Sequence, residues 1–131
     1  MTNVFTYGSL MYPEVFSSVT LASPRCLGVC LDGWSRHAIQ GKTYPGAVPA
    51  AGATITGVLW MDLSDEAMQR LDRFEGNEYA RQRVWIGLAG GERIAAQIYR
   101  WRDIASLLPT DWSSDEFERH HLSDFFRIHG T

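Results

Sequence analysis

The chain has 131 residues, 45% hydrophobic and 21% charged, a length suited to one domain and a balance close to the globular average, which excludes a disordered chain and a fibrous repeat. Twelve Lys plus Arg stand against fifteen Asp plus Glu, for a net charge of -3, and the basic residues are scattered along the sequence, so nucleic acid is not an expected partner. The least polar stretch, Tyr44 to Ala53, is broken by Pro45, Gly46, Pro49 and Gly52 and falls short of the ~20 apolar residues of a membrane helix. No membrane partner is expected either. The opening Met-Thr-Asn-Val-Phe-Thr-Tyr lacks the basic start and apolar run of a signal peptide, so the expected compartment is the cytoplasm. Cys26 and Cys30 are too few for a disulfide framework and are read as reduced, buried, small hydrophobes.

In chain order, Val4 to Tyr7 reads as a strand entering a tight turn at Gly8. Pro13 suits the first turn of a helix, with Glu14 at its positive end. Cys26 to Trp34 reads as a long strand with Asp32-Gly33 as a turn or bulge, and Gly41 to Gly52, with three glycines and two prolines, as a long loop forming a lid or wall. Ile55 to Leu63 returns to strand composition. Ser64-Asp65-Glu66 then starts a helix whose Ala67, Met68, Leu71 and Phe74 make an apolar stripe ending near Gly76. From Tyr79 the period becomes two, through Val84, Ile86 and Leu88, and after Ala89 to Glu92 it resumes with Ile94, Ala96 and Ile98, which makes a hairpin. Ser113 and Glu116 form a capping-box pattern ahead of Phe117, His121, Phe125 and Ile128, a helix expected to lie against the sheet. These elements fit a single α+β domain over residues 1–131, built on a mostly antiparallel, barrel-like sheet with flanking helices.

Several chemistries find no pattern. Tyr7-Gly8-Ser9-Leu10-Met11 lacks the flanking glycines of a nucleophile elbow, so Ser9 reads as a turn serine, although a hydrolase using it remains a third hypothesis. A strand followed at once by Gly8 and a small residue leaves backbone N–H groups able to form a concave anion site. His37, His120, His121 and His129 contain no i, i+4 pair, and the cysteines lack a second ligand pair, so no metal is expected. Asp72, Glu75 and Glu78 follow each other at intervals of three. From spacing alone they read as a solvated acidic face. Glu75, between Phe74 and Gly76 at the helix end, has the alternative of turning inward beside apolar walls, where its pKa would rise and suit acid-base work.

Taken together, Val4-Phe5-Thr6-Tyr7-Gly8-Ser9-Leu10-Met11, Tyr44-Pro45-Gly46, Gly57-Val58-Leu59-Trp60 and Leu71-Asp72-x-x-Glu75-Gly76-x-x-Tyr79-x-Arg81 resemble the gamma-glutamylcyclotransferase-like superfamily. Trp112 and the Phe117 to Phe126 segment, with His121 and Asp124-Phe125, resemble the ending of the branch that holds the plant avirulence-induced proteins and their bacterial relatives. The resemblance implies a small, mixed, mostly antiparallel β-barrel with flanking helices, in which Tyr7 to Leu10 and Glu75 face one cavity. It also implies an enzyme that cyclises a gamma-glutamyl group to 5-oxoproline and releases an amine or amino acid, with no cofactor and no metal, and with a small gamma-glutamyl molecule as its partner.

That chemistry accounts for the residue types. The substrate's own α-amine attacks its side-chain carbonyl, so the nucleophile arrives tethered. The protein must move a proton from the ammonium to the departing amine, which falls to Glu75 as general base and then acid, and must hold anionic oxygens, which falls to the backbone of Tyr7, Gly8, Ser9, Leu10 and Met11. Tyr79 and Arg81 are read as supports for Glu75, or equally as a packing residue and a surface ion pair. The competing reading is a non-catalytic module that binds a small carboxylate in the same cavity. Against it stands Glu75, since a binder of anions gains nothing from a carboxylate there.

Overall fold

The computed structural model describes residues 1–120. Five strands, β1 (Thr2–Thr6), β2 (Cys26–Ala38), β3 (Pro45–Leu63), β4 (Tyr79–Gly87) and β5 (Arg93–Trp101), form one sheet in the order β2-β3-β1-β5-β4. Every pairing is antiparallel except β1 with β5. Three helices accompany it, α1 (Pro13–Thr20), α2 (Asp65–Glu75) and α3 (Ser114–His120).

Neighbouring residues on β1 separate the two cores, as alternation along a strand requires. Val4 points to the face covered by α1 and α2, with Val15, Phe16, Trp60, Leu63, Met68 and Leu71. Phe5 points to the opposite, concave face, with Leu31, Trp34, Leu59, Ile86 and Ile98. On the helical face the rings of Phe16 and Trp60 stack with centroids 4.0 Å apart. The indole N–H of Trp60 donates to Thr6 Oγ1 at 3.0 Å, which satisfies the buried donor. On the concave face both edge strands, β2 and β4, contribute side chains to one core. The barrel expected from the sequence is therefore a curled sheet that does not close, because β2 and β4 share packing without hydrogen-bonded pairing.

The hairpin, the Pro13 start of α1 and the Ser64 start of α2 stand where the sequence pattern put them, and Ser64 accepts a hydrogen bond from the Ala67 N–H at 3.2 Å. Asp32-Gly33 is a bulge: the β2–β3 register shifts there and Gly33 has φ 83°. The strand around it runs to Ala38, four residues beyond the expected end.

Two expectations fail. Gly41 to Gly52 is not a loop, because β3 begins at Pro45 and pairs with β2 from Ala38↔Pro45 onward. Its prolines are tolerated because β1 pairs with β3 only from Val58 onward, leaving the first half of β3 with a free side that needs no N–H donor. Gly46 is there for contact rather than for turning: a Cβ at that position would lie 2.7 Å from Trp101 Cβ and 3.0 Å from Leu107 Cδ2. Cys26 and Cys30 are free but exposed, not buried, since both sit on the solvent side of the edge strand β2.

At the far end, Ser113 Oγ caps α3 by accepting from the Glu116 N–H at 3.1 Å, and buried Phe117 packs its ring on Tyr12 and Trp112. The expectations for His121, Asp124, Phe125 and Ile128 lie outside the described residues.

Gly46→Ala is expected to destabilise the fold by about 1–3 kcal/mol through overpacking against Trp101. Gly90→Ala, where a Cβ meets nothing within 4 Å, is expected to stay within about 0.5 kcal/mol of the parent. Urea unfolding of the two variants checks the contrast, and equal midpoints would contradict the close packing of β3 on β5.

Candidate active site

The end of α2 sets the site. Ala67, Met68 and Leu71 are buried against the sheet, and the helix stops at Glu75 because Gly76 has φ 69° and ψ -159°, a backbone region open essentially to glycine alone. The Gly76 N–H still donates to Asp72 O. Glu75 is thus the last helical residue, fixed at its base by a packed helix.

Its carboxyl is turned inward. Although the residue keeps some exposed surface, burial of the carboxyl and then the charge of neighbouring Asp72 push its pKa up to about 8. Three phenols face it. Tyr7, Tyr79 and Tyr99 all have their ionisation raised first by burial, and the Glu75 charge raises each of them further. Each phenol is also anchored: Tyr7 Oη donates to Tyr99 O, Tyr79 Oη to Pro45 O at 2.7 Å, and Tyr99 Oη to Asp72 Oδ1 at 2.7 Å. Burial first and the Asp72 charge second thus keep the proton on Glu75 to higher pH than on an ordinary glutamate.

The acidic triplet therefore does not form one solvated face. Asp72 accepts from Tyr99 and pairs with Arg81, whose Nη2 lies 3.5 Å from Asp72 Oδ2. Glu75 turns in, and Glu78 turns out to accept from Tyr44 Oη at 2.9 Å with Lys42 Nζ at 3.7 Å. Tyr79 packs edge-on against Trp101 and Arg81 makes its ion pair with Asp72 rather than with Glu75. Arg81 thus acts on the carboxylate next to Glu75.

Tyr7 to Met11 leave β1 directly into a 3-10 turn at Ser9–Met11, closed by Met11 N–H to Gly8 O at 3.0 Å and Tyr12 N–H to Ser9 O at 3.2 Å. These bonds use the carbonyls of Gly8 and Ser9, and an N–H at the start of such a turn has no partner within it. Ser9 and Leu10 are buried. Among the described residues no histidine hydrogen-bonds to Ser9; the serine-histidine bond is elsewhere, from Ser35 Oγ to His37 Nε2 at 2.7 Å, with His37 Nδ1 2.9 Å from Leu108 O. Gly8 lacks a Cβ for a reason the sequence did not reveal: a Cβ there would lie 2.8 Å from Pro45 Cγ and Cδ, so Gly8 lets the start of β3 close over the loop.

Sequence reasoning missed Arg36, which holds that loop. Its Nη1 donates to Tyr7 O at 2.9 Å, while Nε and Nη2 donate to the two Asp111 carboxylate oxygens at 2.8 and 3.1 Å. The guanidinium also lies 5.4 Å from the centre of the Trp112 ring. A planar fork suits this three-way contact, which a lysine could not reproduce. Tyr99 was missed too, since within an alternating strand it reads as one more core residue.

The family described as gamma-glutamyl cyclotransferase, AIG2-like, matches residues 4–119. The chain belongs to this family. AIG2-like protein A of Arabidopsis thaliana is 31% identical over 127 residues, 94% of this chain and 76% of that protein, and AIG2-like protein D of the same plant is 30% identical over 132 residues, 98% of this chain and 86% of that protein. Among solved structures, an Arabidopsis thaliana protein determined in solution superposes with a TM-score of 0.73 at 30% identity, over 97% of this chain and 87% of its own. A gamma-glutamyl cyclotransferase superposes with a TM-score of 0.68 at 19% identity, over 77% of this chain and 66% of its own, a likeness of fold.

The raised pKa of Glu75 has a consequence for stability. Unfolded, a glutamate releases its proton near pH ~4.3; folded, this one holds it to about pH 8. The stabilisation is full below the unfolded value and is lost as pH rises through the folded one. Glu75→Gln carries no charge at any pH, so its stability relative to the parent is expected to increase from pH 5 to pH 9 in urea unfolding. A difference independent of pH would contradict the desolvated carboxyl.

Proposed function

We propose that the protein is a gamma-glutamylcyclotransferase, converting a gamma-glutamyl amide into 5-oxoproline and a free amine or amino acid. The observation that carries this reading is the Glu75 carboxyl, desolvated to a pKa of about 8 beside the loop that begins at Tyr7. Family membership supports the same reaction type.

The proposed mechanism needs one proton carrier and a rigid anion cradle. Backbone N–H groups of the Tyr7 to Met11 turn hold the glutamyl carboxylate or the developing oxyanion, with Arg36 fixing the turn through Tyr7 O. Glu75 takes a proton from the substrate ammonium, and the freed amine nitrogen attacks the δ-carbonyl carbon to close a five-membered ring. The Glu75 proton goes to the departing nitrogen as its C–N bond breaks, and the second proton, shed by the ring nitrogen as it becomes the lactam amide, follows by the same carboxyl, so the amine leaves as an ammonium. Atoms and charge balance with no co-reactant. A carrier near pKa 8 suits both transfers, because it is basic enough to take an ammonium proton and acidic enough to give it back.

Incubation with gamma-glutamyl amino acids, peptides and amines, scored for 5-oxoproline by mass spectrometry, is expected to yield product from at least one. Glu75→Gln is expected to lower kcat by about 10²-fold or more. One proton must be shared between Glu75 and a substrate amine whose pKa is at or above the roughly 7.7–8.0 of a peptide amino terminus, so kcat/KM is expected to rise from pH 6 to an apex at or just above pH 8. Undiminished turnover by the variant would remove Glu75 from the mechanism.

A further inference from the structure

An open groove of about 550 Å³ runs along the end of α2 and the start of β4, and its walls include Asp72, Arg73, Tyr79, Arg81, Tyr99 and Arg102. Three arginines converge there against one carboxylate. The basic residues that look scattered in the sequence are gathered by the fold, because the last turn of α2, the first residues of β4 and the end of β5 meet at one place.

The carboxylate in the groove is already satisfied. Asp72 accepts from Tyr99 Oη and pairs with Arg81, which leaves Arg73 and Arg102 uncompensated. Arg102 donates its Nε to Tyr79 O at 3.1 Å, a bond that fixes the plane of the guanidinium and leaves its terminal nitrogens without an acceptor among the described residues. Arg73 has no acidic partner among the described residues. Two guanidinium groups at the rim of a concave site are built for a carboxylate, whose two oxygens match their forked donors. Glu75 is not itself a wall of the groove, but Tyr79 and Tyr99, two of the three phenols whose ionisation the Glu75 charge raises, are.

We propose that this groove is a subsite for the leaving part of the substrate, with Arg73 and Arg102 binding a carboxylate on the departing amine. It follows that gamma-glutamyl amino acids and peptides are preferred over gamma-glutamyl alkylamines. The proposal rests on the cyclotransferase reading for its chemistry and adds the substrate class. The glutamyl moiety keeps its own carboxylate in both kinds of substrate, so the comparison isolates the second one.

The experiment compares gamma-glutamylalanine with gamma-glutamylethylamide, two substrates that differ in the carboxylate on the departing amine. In the parent the ratio of kcat/KM values is expected to favour gamma-glutamylalanine by about tenfold, the size of one charged hydrogen bond in a partly exposed site. The ratio should shrink at high salt, collapse towards one in Arg73→Met/Arg102→Gln, and fall part-way in Arg73→Met, which alters an exposed side chain and spares the Tyr79 contact. Arg93→Met, whose guanidinium lies over Trp85 at the other end of the hairpin, should leave the ratio unchanged. A ratio near one in the parent, or an equal loss on both substrates in the double variant, would overturn the subsite while leaving the reaction intact.

Turnover of neither compound would count against the cyclotransferase reading alone, and a binding arm then decides the groove. Side-chain N–H resonances of Arg73 and Arg102, followed by NMR in Glu75→Gln during titration with each compound, are expected to move with gamma-glutamylalanine and not with gamma-glutamylethylamide. No difference between the two would overturn the proposal.

Discussion

Gly76 adopts a backbone conformation closed to residues that carry a Cβ, so the helix that buries Met68 and Leu71 ends with Glu75 as its final residue. One turn earlier, Asp72 is held by Tyr99 and Arg81, and one turn later Glu78 is drawn out to Tyr44 and Lys42. A carboxyl fixed between these two, on a helix that cannot shift without opening a core, lies near the buried phenols of Tyr7, Tyr79 and Tyr99, whose ionisation its charge raises. Its high pKa is therefore a consequence of backbone geometry as much as of the side chains nearby.

The same geometry relates the proposed catalysis to stability. Burial of a carboxyl without a cationic partner disfavours its charged form, and Arg81 is paired with Asp72. The charge of Asp72 in turn raises the Glu75 pKa further. The loop after β1 is treated in the opposite way. Arg36 ties it to Asp111 and Trp112, and Pro45 closes over Gly8, so the loop is held in place while Glu75 has no ion pair among the described residues. A fixed loop and a carboxyl that is readily charged and discharged are what the proposed intramolecular acyl transfer would require.

Much of this was legible in the sequence where local signals agree with the fold. Ser64 at a helix start, alternation from Tyr79 to Ile98 and the helix end at Gly76 each carry their own physical reason and stand as read, whereas the spacing of Asp72, Glu75 and Glu78 favoured a solvated face and Glu75 took the alternative of turning inward. Legibility failed where a residue's role is set by something distant in sequence. Pro45, Gly46, Pro49 and Gly52 resemble a loop because proline and glycine usually break strands, but here one side of β3 is free and Gly46 makes room for Trp101. Cys26 and Cys30 look like core residues until the covered face of β2 is known: Val29 and Leu31 point into the core and Cys30, between them, points away from it. Arg36 and Asp111 are 75 residues apart, and no spacing rule relates them. The likeness to gamma-glutamylcyclotransferases reached Tyr7 and Glu75 because it preserves the order of motifs, which spacing alone does not interpret.

The central claim is that Glu75 is a desolvated carboxyl that keeps its proton near neutral pH in the free protein. Carbon-13 NMR of the glutamate side-chain carboxyls, titrated from pH 4 to pH 10 with Glu75 assigned by its loss in Glu75→Gln, measures this directly. One resonance titrating near pH 8, apart from glutamates near the usual ~4.3, is the predicted result, and a Glu75 resonance titrating with the others would contradict the account.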